Sequence, residues 1–204
     1  SRQLLPAAYR NANINVNVNG QLKNLWHVGA LIGYEPKYND FNEPRVAGRV
    51  FKGWADYFID AWVQTNSAKR YNINAEMLYI ARNMFNSKRY MISFNQQFRF
   101  NHKFSISHGL SMEPQTANVG FAEIDPASND IIFGRRNRNT IENILVFKYN
   151  FNDKMGLNTR IRHYWSKVDY NKYFTLLQNG KLADNNTFNG NENQNVNFFN
   201  IDMT

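Results

Sequence analysis

Hydrophobic and polar residues alternate along most of this chain with a period of two. Ile14, Val16 and Val18 alternate with Asn13, Asn15, Asn17 and Asn19. After Lys23-Asn24, Trp26, Val28, Ala30, Ile32 and Tyr34 take one face and His27, Gly29 and Gly33 the other. An extended stretch over 46–65 sets Phe51, Tyr57, Ile59, Ala61 and Val63 against Asp56, Asp60 and Gln64. Tyr71, Ile73, Ala75, Met77 and Tyr79 oppose Asn72, Asn74 and Glu76; Tyr90, Ile92, Phe94, Phe98 and Phe100 oppose Ser93, Asn95, Gln97 and Arg99. Further on, Phe104, Ile106, Leu110 and Met112 oppose Ser105, Ser107, Gly109 and Ser111. A stretch over 131–151 follows, then Leu157, Ile161 and Trp165 against Asn158, Arg160, Arg162 and Ser166, and last Phe199, Ile201 and Met203. Successive side chains of a strand point to opposite sides, so this period predicts strands with one greasy and one wet face. Nine strands are expected and almost no helix.

The breaks between strands carry the next signal. Short turns are predicted near Lys23, Ala68, His102 and Asp153, and mostly longer breaks near 35–45, 113–130 and 168–193, with a shorter one at 83–88. Two of the turns repeat a pattern: FRFNHKF over 98–104 and YNFNDKM over 149–155. They read as equivalent turns, with aromatics just before each turn, Asn for its tolerance of left-handed backbone and Lys with its charge in water. Asn179-Gly180 is a hairpin signal inside the last long break. Alternating short and long connections put all the short turns on one rim of an up-and-down barrel, as in outer-membrane barrels. Strands of about ten residues match the 9–11 or so that a tilted strand needs to cross a bilayer. The predicted fold is therefore all-β, an antiparallel up-and-down transmembrane β-barrel, here a partial barrel of about nine strands. Lipid-facing positions would include Phe94, Phe98, Phe104, Ile106, Leu110, Leu157, Ile161 and Trp165.

Composition sharpens this picture. Aromatics reach 15% in 204 residues while mean hydropathy is −0.61, which suits two-faced sheets better than a soluble core. Lys and Arg number 24 against 16 Asp and Glu, a net charge of +8, enough to consider nucleic acid or an anionic membrane surface. Basic residues are spread over all strands without an RNA-binding aromatic motif, so nucleic acid is not expected as a partner. Cysteine is absent, which removes disulfides, thiolate nucleophiles and Cys-ligated zinc. No apolar run approaches the roughly 18 residues of a spanning helix. The opening SRQLLPAAYR lacks an apolar signal core, so a targeting signal is expected to be missing or removed.

Candidate chemistry is sparse. Asp56 and Asp60 share a strand face, but four residues of strand span about 13 Å, too far for the roughly 5–9.5 Å of a glycosidase pair. His27, His102, His108 and His163 have no metal-ligand spacing, and no cofactor or metal is expected. Arg135, Arg136, Arg138, Arg160 and Arg162 form the densest basic group. They read either as a site for phosphate or sugar-acid groups or as solvated lining paired with Asp and Glu. Trp26, Trp54, Trp62 and Trp165 could stack on sugars or sit in an interface girdle. The Asn-rich, aromatic-bearing break around 171–193 is the best surface for sugar or partner contact.

Four stretches carry a resemblance: YEPKYNDFNEPRV (34–46), DIIFGRRNRNTIEN (130–143), NFNDKMGLNTRIRHYWSKVDY (150–170) and YFTLLQNGKL (173–182). Together they resemble the C-terminal domain of large Bacteroidota outer-membrane proteins, domain of unknown function 5916. The resemblance implies a membrane β-barrel preceded, in full-length members, by a family-nine-like carbohydrate-binding module. It implies the bacterial outer membrane, with outer-membrane lipid, lipopolysaccharide, polysaccharide and other envelope proteins as partners. Full-length relatives are sometimes labelled hydrolases, yet no catalytic residue carries over. Bacterial single-chain barrels have even strand numbers, so residues 1–204 are expected to be one segment of a larger barrel, with the N-terminal module and closing strands outside it. The expected function is non-enzymatic: binding, passage or surface anchoring linked to polysaccharide use. The alternatives are a soluble all-β carbohydrate-binding or hydrolase-associated protein, and a structural subunit of a larger envelope transport or secretion complex.

Overall fold

The computed structural model describes residues 2–3 and 8–204; of the N-terminal stretch read for a targeting signal, residues 1 and 4–7 lie outside the described residues. The strands in chain order are β1 (Arg2–Gln3), β2 (Ala8–Tyr9), β3 (Ile14–Gln21), β4 (His27–Glu35), β5 (Tyr38–Asp40), β6 (Phe51–Gly53) and β7 (Asp56–Gln64). Then come β8 (Tyr71–Arg82), β9 (Ser87–Arg99), β10 (Phe104–Ile124), β11 (Ile131–Asn152), β12 (Met155–Leu176), β13 (Leu182–Asn185) and β14 (Gln194–Met203). The one helical element among the described residues is a 3-10 turn at Met84–Asn86. The chain is all-β, as its period requires.

One antiparallel sheet dominates, in the order β3-β4-β7-β8-β9-β10-β11-β12. Beyond β12 the edge is shared: β13 pairs with Tyr173 to Leu176, and β14 pairs with Thr159 to Val168. Nine strands thus run up and down in sequence order, with β13 as a short addition. Rows of directly paired residues climb steadily relative to the strand ends. The row that leaves β3 and β4 at their last and first residues, Gln21 and His27, passes through Gln64, Asn74, Asn95 and Gly109 and meets β11 at Ile144, well above its end at Asn152. Such a one-way stagger is what strands tilted against a common rim produce.

The short turns share a device. The side-chain oxygens of Asn24, Asn66, Asn101 and Asn152 each accept a hydrogen bond from the backbone N–H two residues on, at 3.2, 2.9, 2.8 and 2.9 Å. Asn101 also accepts from Phe104 N–H at 2.9 Å. The repeated Asn of FRFNHKF and YNFNDKM therefore closes its turn through an Asx bond. This corrects the expected reason: neither Asn101 nor Asn152 is among the residues with positive φ.

The other rim differs from expectation in extent. The break expected over 113–130 is mostly strand: β10 continues to Ile124, with register shifts between Gln115 and Asn118 and between Phe121 and Glu123. Those irregularities hid the period. Of the stretch expected over 46–65, only β6 and β7 are extended. The break at 168–193 holds the last residues of β12, a turn at Gly180 with φ +82° and then β13; the Asn-Gly signal marks that hairpin.

At 21 or 22 residues, β10, β11 and β12 are far longer than their neighbours. Pairing with β9 stops at Thr116 and Lys88, so the upper parts of these three strands rise past the rim as a ribbon. The only sizeable core among the described residues forms there. Phe51, Ile131, Phe133, Phe174 and Leu176 are buried together, backed by Val46, Met84 and Leu182. Residues 131–134 are buried in succession, and alternate residues face opposite ways, so the ribbon is covered on both sides. Phe133 has no exposed surface and its ring lies 4.9 Å from that of Phe51. Phe133→Ala should cost about 3–5 kcal/mol, read as a lower urea midpoint in detergent and faster proteolysis within 36–55; an unchanged midpoint would remove the ribbon core from the picture.

Candidate functional site

The register carries one face intact across the sheet. Val16, Ile32, Ile59, Tyr79 and Tyr90 stand in one row; Val18, Ala30, Ala61, Met77, Ile92, Met112, Ile141 and Trp165 stand in another. Phe94, Phe98, Phe104, Ile106, Leu110, Leu157, Ile161 and Trp165 all fall on this face, and none is buried. Ile14, Val16, Ile59, Met77, Phe199 and Ile201 are exposed as well. An apolar surface this continuous is far larger than monomers in water expose. Several polar groups within it are tied to cross-strand neighbours: Gln96 to His108 at 3.3 Å, His163 to Asn197 at 3.0 Å and Trp165 Nε1–H to Asn195 at 3.0 Å.

Aromatic rings border this face on both sides. At the short-turn rim Tyr71, Phe98, Phe100, Phe104, Tyr149 and Phe151 form an unbroken chain of ring contacts, with neighbouring centroids 4.6–6.3 Å apart. Toward the other rim Tyr34 meets Tyr57 at 5.0 Å, and Tyr79 meets Tyr90 at 4.8 Å. From Tyr71 to Tyr79 along β8 is about 26 Å at strand rise.

The opposite face is polar. Asn17, Asn74, Asn95, Gln97, Ser107 and Ser111 share it with Lys148, Arg160 and Arg162. Glycine makes room for two of the rings it carries: a Cβ on Gly29 would collide with Trp62, and one on Gly33 with Phe58. Asp56 and Asp60 lie on this face, and Asp56 accepts from Arg82 Nε at 2.8 Å.

The structure divides the arginine group. Arg138 and Arg89 converge on Glu113 at 2.7 and 2.8 Å. Arg136 donates to Asn118 at 3.1 Å and to the Tyr170 hydroxyl at 2.5 Å. Arg162 pairs with Glu142 lower on the polar face. Arg135 points the other way, donating to Asn171 at 2.7 Å with its guanidinium 5.6 Å from the Phe85 ring centre. Arg160 sits near the end of β12 that the short-turn rim serves. The five are therefore not one cluster: Arg136 and Arg138 belong together, Arg160 and Arg162 lie lower, and Arg135 lies on the reverse side. The segment 38–51 covers the upper pair, with Glu43 accepting from Phe121 N–H at 2.8 Å and Tyr38, Asp40 and Glu43 lining a polar cavity with Arg82, Arg136 and Arg138.

A family profile described as "Domain of unknown function (DUF5916)" matches residues 1–204. The chain belongs to the DUF5916 family. No curated protein and no solved structure matches it.

This DUF5916 chain has a second concavity, which no sequence motif marks. Segments 37–39 and 52–54, the turn at Met84 and Phe85, and Lys181 with Leu182 meet around a cavity of about 420 Å³. Their places are fixed by Lys52 N–H donating to the Gly180 carbonyl at 2.9 Å, Arg49 donating to the Leu176 carbonyl at 2.6 Å and Asn83 N–H donating to the Ala55 carbonyl at 3.2 Å. Tyr38 lies so close over Gly53 that a Cβ there would strike its ring. Burial pushes the Tyr38 phenol up to about 12, against the opposing pull of the Arg82 charge. Only Trp54 among the lining residues was legible as a ring for stacking. Lys37 and Lys181 come from breaks and Lys52 from the short strand β6, so only tertiary folding unites them.

Glu113 is the shared acceptor of the upper polar face. Glu113→Gln leaves Arg89 and Arg138 in mutual repulsion, and with these side chains about a third exposed the loss should be about 1–2 kcal/mol. Urea unfolding in detergent should show it at low salt and much less at high salt; a salt-independent change would contradict the charge argument.

Proposed function

We propose that this chain is a stretch of the wall of a bacterial outer-membrane β-barrel. It acts without catalysis, in binding, passage or surface anchoring linked to polysaccharide use. The observation that carries the reading is the in-register apolar face, uncovered by any described element and bordered by aromatic rows. Two further features support it. The stagger of the paired rows suits tilted strands. The short Asx-closed turns gather at one rim, while the long connections and the ribbon of β10–β12 stand at the other, the asymmetry of outer-membrane barrels. The outer edges of β3 and β14 then meet further strands, because hydrocarbon tolerates no unpaired backbone groups. The inner face carries a charged lining, part of it tied into arginine–glutamate pairs, suited to contact with water and polar solutes rather than to bond breaking.

Substitution on alternate positions tests the reading. Phe94→Arg and Ile106→Arg should each hinder insertion by about 2–4 kcal/mol, measured by folding into lipid vesicles, while Asn95→Arg and Ser105→Arg should be mild. Equal tolerance at both sets, or a protein that stays monomeric in buffer without detergent, would favour the soluble all-β alternative.

A further inference from the structure

We infer that the cavity beside Trp54 binds an acidic saccharide, with the indole stacking on a sugar ring and Lys37, Lys52 and Lys181 holding its carboxylates. The inference rests on the proposed role in polysaccharide use and assigns the ligand class. Four observations carry it. First, the size, about 420 Å³, falls within the range of small-molecule sites. Second, the lining holds three lysines and no carboxylate, and none of the three ammonium groups has a salt bridge among the described residues. Arg82, Arg89, Arg138 and Arg162 of the polar face, by contrast, each have an acid within reach. Three lysines around one cavity with no acid in its lining favour an anionic ligand.

Third, Trp54 is 50% exposed and makes no ring contact with another aromatic among the described residues. The neighbouring Phe85 ring is already engaged, stacked on Phe174 at 5.1 Å and approached by Arg135. Trp54 is thus the free platform; Asn39 of the lining spends its amide nitrogen on the Tyr9 carbonyl at 2.8 Å and keeps its Oδ1 for a sugar hydroxyl. Fourth, the turn beneath is held in a costly backbone form: Phe85 and Asn86 have φ of 52° and 54°. A non-glycine pair in the left-handed region persists only where the surroundings fix it. Here Met84 backs onto the ribbon core while Phe85 stacks on Phe174, so the cavity is preformed. A ring platform with several cations and few hydrogen-bond acceptors suits a uronic-acid chain better than a neutral one.

The test is calorimetric titration of the full chain in detergent micelles with tetragalacturonate, tetramannuronate and, as the neutral control, maltotetraose. At least one acidic probe should bind, and maltotetraose about tenfold or more weaker. Trp54→Ala should weaken acidic binding by about tenfold, and Trp54→Phe should recover part of it. Lys52→Gln and Lys181→Gln should each cost about threefold and flatten the salt dependence. The inference fails if neither acidic probe binds, if maltotetraose binds as well, if Trp54→Ala changes nothing, or if inorganic phosphate competes as well as the saccharides, which would mean simple anion capture. The same micelle-solubilised protein, reconstituted into vesicles, reports insertion separately. An inserted chain without saccharide binding sinks only the site, whereas binding by a chain that never inserts sinks the membrane reading.

Discussion

Lateral pairing of strand backbones in strict register is the constraint on which everything else in this chain depends. A strand satisfies none of its own hydrogen bonds, so each of the nine leans on its neighbours. Because the pleat has period two, a slip of one residue would exchange the faces of a whole strand. No such slip occurs between β3 and the lower part of β12, and the row from Val18 to Trp165 stays on one side throughout. The irregularities are confined to the ribbon, at Gln115/Asn118, Phe121/Glu123 and Arg135/Arg136, and to the turn at Asn150/Asn152. Register is pinned from below by asparagines that close the turns, and from the sides by ring contacts such as Tyr71 with Phe98.

Two environments follow from that one sheet. Over its lower part the apolar side has no partner layer among the described residues, and on the polar side Arg162 pairs with Glu142. Above the last β9 pair the ribbon is wrapped on both sides and owns a core built from Phe51, Phe133 and Phe174. The change of environment along β10, β11 and β12 explains why they are about twice as long as a strand needs to cross a bilayer, about 9–11 residues. In the proposed setting the lower half is solvated by lipid and the upper half by water, and the rim cavity belongs to the watery half.

Much of this was legible in the sequence, and unevenly so. The strands of the lower sheet, their faces and the four short turns follow from alternation and from Asn-centred breaks, because local pattern decides them. The arginines show the limit of that logic. Arg135, Arg136 and Arg138 are neighbours in sequence, but Arg135 faces away from the other two, and Asn171 and Glu113 from distant strands decide what each touches. The upper part of β10 was hidden for a related reason: its bulges break the period, and tertiary cover from 36–53 replaces alternation as the source of burial. Lys37, Lys52 and Lys181 show no shared pattern, since two connections and the short strand β6 bring them together.

The absence of cysteine makes one measurement unusually clean. Single cysteines placed in turn at 104–112 along β10, spin-labelled in reconstituted vesicles, report by electron paramagnetic resonance whether each site meets lipid-soluble oxygen or a water-soluble nickel chelate. The proposal requires strict alternation, with oxygen favoured at 104, 106, 108, 110 and 112 and the chelate favoured at the positions between them. Even-numbered sites shielded from both agents, as in a packed protein interior, would contradict it.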